Sequence, residues 1–134
     1  MEAFESLLLK ARRIAVVGAS PNPLRPSNRI SHYLMDAGYE VIPVNPGQDE
    51  LYGLTCYPDV SRIPGGVDIV DIFRRSDQVY PIVESSVAVG GVQLIWMQDG
   101  VINQEASELA SSKGIEVVMD DCILRVHRRL KLST

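Results

Sequence analysis

Five short apolar runs rich in β-branched residues, at 14–17, 40–44, 67–73, 92–97 and 115–119, limit what this chain can become. Runs like these mark strands covered on both faces, as in parallel sheets. Helical patterns alternate with them. Phe4, Leu7 and Leu8 give residues 2–10 one apolar side. Ile30, Tyr33, Leu34 and Ala37 recur at helical spacing before Gly38, and Ser27 or Asn28 is placed to cap that helix. Ser76 is placed to cap a third helix through Val79, Ile82, Val83 and Val87, with Pro81 near its start, where proline costs least. Asn103 opens a helix that Gly114 closes, and a last one follows from Cys122 to about Leu130.

The intervening segments read as loops. Residues 48–57 are polar and irregular, with a small extended piece near Tyr52-Gly53-Leu54, and residues 58–63 allow one helical turn before the breaker Pro64-Gly65-Gly66. No repeat or linker divides the 134 residues, so one domain is expected. Strands alternating with helices give the α/β class: a Rossmann-like, doubly wound, parallel five-stranded sheet with the first strand central.

The net charge of −4 argues against a nucleic-acid binder, and no apolar run approaches the roughly 20 residues that span a bilayer. The acidic start Met1-Glu2-Ala3-Phe4-Glu5 lacks the basic region of a signal peptide, and two separated cysteines suit a reducing cytoplasm.

In doubly wound sheets, ligands bind beyond the carboxyl ends of the strands, where the strand order reverses. The loops at that edge hold the chain's unusual residues. After the first strand come Gly18, Ala19, Ser20 and a proline-rich stretch with Arg25, Ser27, Asn28 and Arg29. A glycine turn entering a helix N-terminus is an anion site. The dinucleotide fingerprint G-x-G-x-x-G is absent, because Ala19-Ser20-Pro21 follows Gly18. The acid that would hold the ribose of NAD is replaced by Asn45, followed by Pro46. An asparagine there tolerates a phosphorylated ribose, which a carboxylate would repel.

The motifs Val17-Gly18-Ala19-Ser20, Arg25-Pro26-Ser27, Val44-Asn45-Pro46, Asp68-Ile69-Val70-Asp71-Ile72-Phe73-Arg74, Trp96-Met97-Gln98-Asp99-Gly100 and Asp121-Cys122 occur in that order. With them the chain resembles the small stand-alone CoA-binding proteins, which are similar to the CoA-binding domain of the succinyl-CoA synthetase α-subunit. The resemblance covers residues 9–129. It implies coenzyme A or an acyl-CoA across the strand ends, with Gly18, Ser20, Arg25 and Ser27 around the phosphates and Ala19 and Asn28 also at the ligand. Asn45 and Pro46 would lie near adenine and ribose. Phe73, Arg74 and Ser76 would line the third loop, and Trp96, Gln98 and Cys122 the far loops.

Structural roles compete with these. Gly18 can serve the turn alone, Ser20 and Ser27 can cap, Arg29 can lie on a solvated face, and a lone tryptophan such as Trp96 is commonly core. Arg74 fits the motif better than Arg75. Neither His32 nor His127 falls at a strand end, so no base stands beside a nucleophile and binding without catalysis is expected. The alternatives are a small NAD(P)-dependent oxidoreductase or a nucleotide-binding regulatory subunit. Asp120-Asp121-Cys122 is not spaced for a metal. Cys122 at a helix N-terminus is a candidate for a mixed disulfide with CoA; a thiol packed under the last helix is the simpler reading. Arg125, Arg128 and Arg129 read as a solvated face. Nothing in the sequence identifies a protein partner.

Overall fold

The computed structural model describes residues 1–133. Five parallel strands form the sheet: β1 (Arg13–Val17), β2 (Glu40–Val44), β5 (Ile69–Ile72), β6 (Leu94–Met97) and β7 (Glu116–Val118), in the order β2-β1-β5-β6-β7. A small antiparallel hairpin, β3 (Glu50–Leu51) and β4 (Leu54–Thr55), stands apart. Its turn residues Tyr52 and Gly53 both have positive φ, the conformation of a type I′ hairpin turn.

Helices α1 (Ala3–Lys10), α2 (Pro26–Asp36) and α5 (Ile123–Leu132) cover one face, and α3 (Val79–Val89) and α4 (Gln104–Ser112) the other. Strand periodicity divides the core between these layers. In β1, Ile14 and Val16 pack toward the first layer, Ala15 and Val17 toward the second. The apolar runs of the sequence are therefore two interleaved faces, each buried. No described helix is long and apolar enough to cross a membrane.

The first strand is interior but one place from the middle, which β5 occupies. The edge position of β2 has a local cause: Pro43 has no N–H to give a further neighbour, and proline within a sheet is confined to edges and bulges. On the outer side of β2, the Tyr57 N–H donates to Pro43 O at 3.1 Å. The strand order thus reverses between β1 and β5.

Two expected helix starts move. Helix α2 begins at Pro26, with Arg25 at the cap position and no side-chain cap; Ser27 and Asn28 lie buried within its first turn. A proline is pre-set for that first position and loses nothing by lacking an N–H there. Ser76 opens a short 3-10 turn, Ser76–Gln78, ahead of α3. Asn103 caps α4 as expected, its Oδ1 accepting the Ala106 N–H at 2.9 Å.

Among the described residues, one acidic side chain is buried in the core. Asp71 is in register with Val16 and Trp96 on the neighbouring strands. It is fully buried and neither carboxyl oxygen has a partner among the described residues. Burial pushes its carboxyl well above the usual range, because an isolated carboxylate in this layer would be very costly. Its surroundings therefore favour the neutral acid over the carboxylate.

Candidate functional site

Val17, Val44, Ile72 and Met97 are aligned across the sheet. Gly18, Asn45, Phe73 and Gln98, the next residue of each chain segment, consequently form a row along the carboxyl edge. All four line a cavity of about 730 Å³, together with Ala19, Ser20, Arg25, Ser27, Arg29, Arg74, Arg75, Asp99, Val101, Cys122 and Arg125.

The first loop is held by its backbone. Gly18 and Ala19 donate their N–H groups to Val44 O, at 2.9 and 3.3 Å, so these two donors are engaged with β2. What Gly18 supplies is space, since a Cβ there would lie 2.6 Å from Phe73 O. At the start of α2, Pro26 has no N–H and the Asn28 and Arg29 N–H groups donate to Arg25 O at 3.1 and 3.5 Å, so the Ser27 N–H is the first-turn donor left for an anion among the described residues. Ser20 Oγ accepts the Asn22 N–H at 3.1 Å and Ser20 O accepts from Asn28 Nδ2 at 3.0 Å and from Tyr52 Oη at 2.7 Å. Asn28 and Tyr52 thus anchor the loop from beneath.

Asn45 has a role that the sequence does not display. Its Nδ2 donates to Ala19 O at 2.8 Å and its Oδ1 accepts the Gly47 N–H at 2.8 Å. An aspartate could make the second bond and not the first. The missing ribose-binding acid is thereby explained by the loop's own anchoring.

Five arginines reach the cavity wall, in two classes. Arg75 pairs with Asp77 at 3.4 Å. Arg125 bridges Asp99 and Asp121, each at 2.8 Å, and its hydrogen bonds hold the Asp99 carboxyl below the usual range. The guanidinium groups of Arg25, Arg29 and Arg74 have no ion-pair or hydrogen-bond partner among the described residues. Three uncompensated guanidinium groups thus face one cavity beside the positive end of α2.

A second cavity of about 330 Å³ shares Arg74 with the first; Val44, Pro46, Pro58, Pro81 and Ile82 line its apolar part, and Asp59, Asp77 and Gln78 its polar part. Pro46 is on this wall and not on the larger one.

Three of the anticipated residues, Trp96, Ser76 and Asn28, lie off both walls. Trp96 is completely buried and packs edge-on against Phe4. Its Nε1–H donates to Asp121 O at 3.0 Å, so its place is in the core behind the cavity. The Ser76 hydroxyl accepts the Ile102 N–H at 2.9 Å, and its carbonyl accepts from Asn103 Nδ2 at 3.0 Å. Ser76 joins the β5–α3 and β6–α4 loops rather than facing the opening. Asn28 likewise acts from behind the loop.

The far wall is stapled together. Asp120, at positive φ, accepts the Gly100 N–H at 2.7 Å, and Asp121 and Arg125 tie the β7 loop to Asp99. Arg125 therefore belongs to the site, while Arg129 pairs with Glu5 and Arg128 lies over the Tyr33 ring. The Arg125 side chain is 60% exposed, in keeping with a solvated face, and it also pairs with Asp99, which is distant in sequence. Cys122 is half-buried on the wall, not sealed under α5. Both histidines are placed elsewhere: His32 Nδ1 meets Asn28 O at 2.8 Å, and the buried His127 Nδ1 meets Tyr33 Oη at 2.8 Å.

A family model described as a CoA binding domain matches residues 12–128. The uncharacterized protein YneT of Bacillus subtilis (strain 168) is 41% identical over 123 residues, covering 92% of this chain and 90% of YneT. The alpha subunit of ADP-forming acetate–CoA ligase II from Pyrococcus furiosus is 30% identical over 134 aligned residues, covering 91% of this chain. That match takes in only 29% of the ligase subunit. Among solved structures, a hypothetical protein from Pyrococcus horikoshii OT3 superposes with a TM-score of 0.91 at 38% identity, over 94% of this chain and 88% of that one. With the family model spanning most of its length, the chain belongs to the CoA-binding domain family.

Proposed function

We propose that the protein binds coenzyme A or an acyl-CoA in the larger cavity, in a reducing cytoplasm, without catalysis of its own. The observation that carries this reading is the set of uncompensated guanidinium groups, Arg25, Arg29 and Arg74, on one wall beside the start of α2. CoA brings a diphosphate and a 3′-phosphate, which arginine forks match in charge and geometry. The adenine fits the smaller, proline-lined cavity that shares Arg74, with Pro46 on its wall. Both histidines have partners away from the cavity, which supports binding over acid–base chemistry. The position of Cys122 on the wall supports a redox-linked variant of the same reading, in which its thiol meets that of CoA. Substitution of Arg25 or Arg74 by alanine tests the assignment: each should weaken CoA, most at low ionic strength, since salt already screens the contribution. Unchanged affinity in both variants would remove the phosphate site from this wall.

A further inference from the structure

Gln98 follows β6 on the cavity wall and is only 5% exposed. Its backbone is satisfied: the N–H donates to Ile72 O at 3.3 Å and the carbonyl accepts the Val101 N–H at 2.8 Å. Its side-chain Oε1 accepts the N–H of Ile123, the first residue of α5, at 3.2 Å. That donor fixes the orientation of the amide, since an N–H must face an oxygen. The Nε2 group is therefore turned the other way, and it has no acceptor among the described residues. It is not one of the sealed, unpartnered atoms of the core. A nearly buried side chain thus offers the cavity one unsatisfied group, a two-proton donor in a fixed direction. Buried donors of this kind are uncommon without a partner.

The surroundings indicate what that donor meets. The uncompensated arginines lie on the first and third loops, whereas the guanidinium near Gln98, that of Arg125, is held by Asp99 and Asp121. Phosphate is drawn to the first region and not to the second. The smaller cavity, beyond Arg74, suits adenine. The remaining limb of a CoA molecule, which ends in the thiol or its acyl group, is left with the wall of Gln98, Val101 and Cys122. A free thiol is a weak acceptor, while a thioester carbonyl is an oxygen suited to an amide donor.

We propose that Gln98 reads the acyl end of the ligand, its Nε2–H donating to the thioester carbonyl oxygen, so that the protein selects acyl-CoA thioesters by their carbonyl. This rests on the CoA reading of the cavity. The test is calorimetric titration of the full chain with CoA, acetyl-CoA and S-ethyl-CoA, a thioether of similar size without the carbonyl. Wild-type protein is expected to favour acetyl-CoA over S-ethyl-CoA by about fivefold or more, the scale of one net hydrogen bond. Gln98→Glu keeps an acceptor for the Ile123 N–H and removes the donor, so this preference should fall to about twofold or less. Any uniform weakening from the added charge leaves the ratio unaffected. Gln98→Met repeats the measurement without that charge. Equal binding of the two ligands by wild type overturns the proposal, as does a preference that survives in a CoA-binding Gln98→Glu or Gln98→Met protein. Equal weakening of all ligands with the ratio intact assigns Nε2 to a carbonyl common to every CoA species, and also overturns it. Failure of wild type to bind CoA itself overturns the CoA reading, a result distinct from CoA binding without carbonyl preference.

Discussion

Gly18 lies directly over the carbonyl of Phe73: a Cβ at Gly18 would be 2.6 Å from that oxygen, and Gly18 φ is +88°. The ends of β1 and β5 are also joined by the Phe73 N–H to Val17 O bond, at 2.8 Å. The crevice where the strand order reverses is therefore closed at its base by backbone packed on backbone. The glycine is required by this contact as much as by any ligand.

Gly18→Ala should destabilise the fold by about 2–4 kcal/mol, combining left-handed strain with overpacking against a carbonyl that cannot step aside. Chemical denaturation measures this. A midpoint within experimental scatter of wild type would mean that the two loops separate easily.

Asn45→Asp should also destabilise, by about 1–3 kcal/mol, because Ala19 O loses its donor and meets a carboxylate instead. If the cavity holds phosphate as proposed, the same variant should bind CoA less tightly, as it places a negative charge on that wall. Asn45→Asp with wild-type stability would show that the first loop does not depend on this anchor.

Asp71 contributes a loss of stability as pH rises above about 4. Its folded carboxyl is raised by burial, while the unfolded one titrates near about 3.9. The folded state thus holds a proton that the unfolded state releases, and stability falls as pH rises from about 4 through the folded value. Asp71→Asn lacks that proton, so its advantage in melting temperature over wild type should grow between pH 4 and pH 8. His127, lowered by burial and by Lys131, acts with the opposite sign and only below about pH 6.5. That contribution is common to both proteins and cancels in the difference. Parallel pH profiles would contradict a neutral buried Asp71.

Cys122 should react with CoA disulfide, its thiolate attacking one sulfur to form a protein–CoA mixed disulfide and release CoA thiol. Intact mass should show one adduct on wild type and none on Cys122→Ser, because Cys56 is buried with its Sγ against Asn45 O at 3.6 Å. An equal adduct on Cys122→Ser would remove Cys122 from the thiol end of the cavity.

The architecture was legible because each strand is covered on both faces, which leaves an unbroken apolar run that loops and helices do not imitate. Even the edge position of β2 was written in the sequence, at Pro43. The C-terminal row Gly18, Asn45, Phe73 and Gln98 followed from the strand ends. What could not be read were roles set by partners distant in sequence. Ser76 bonds to Ile102, Asn45 to Ala19, Arg125 to Asp99 and Trp96 to Asp121, and no local spacing announces such pairs. The start of α2 shifted for a different reason: two residue types that commonly cap, Ser27 and Asn28, were used inside the first turn behind Pro26. Asp71 gave no signal beyond being an acid inside an apolar run.

The central claim is that three unpaired arginines form a phosphate site for CoA, and calorimetric titration with CoA, dephospho-CoA, NAD and NADP tests it most directly. The account predicts that CoA binds tightest and that loss of the 3′-phosphate costs about tenfold or more at low ionic strength, with the gap narrowing as salt rises. Tighter binding of NAD than of CoA, or no measurable CoA binding, would contradict it.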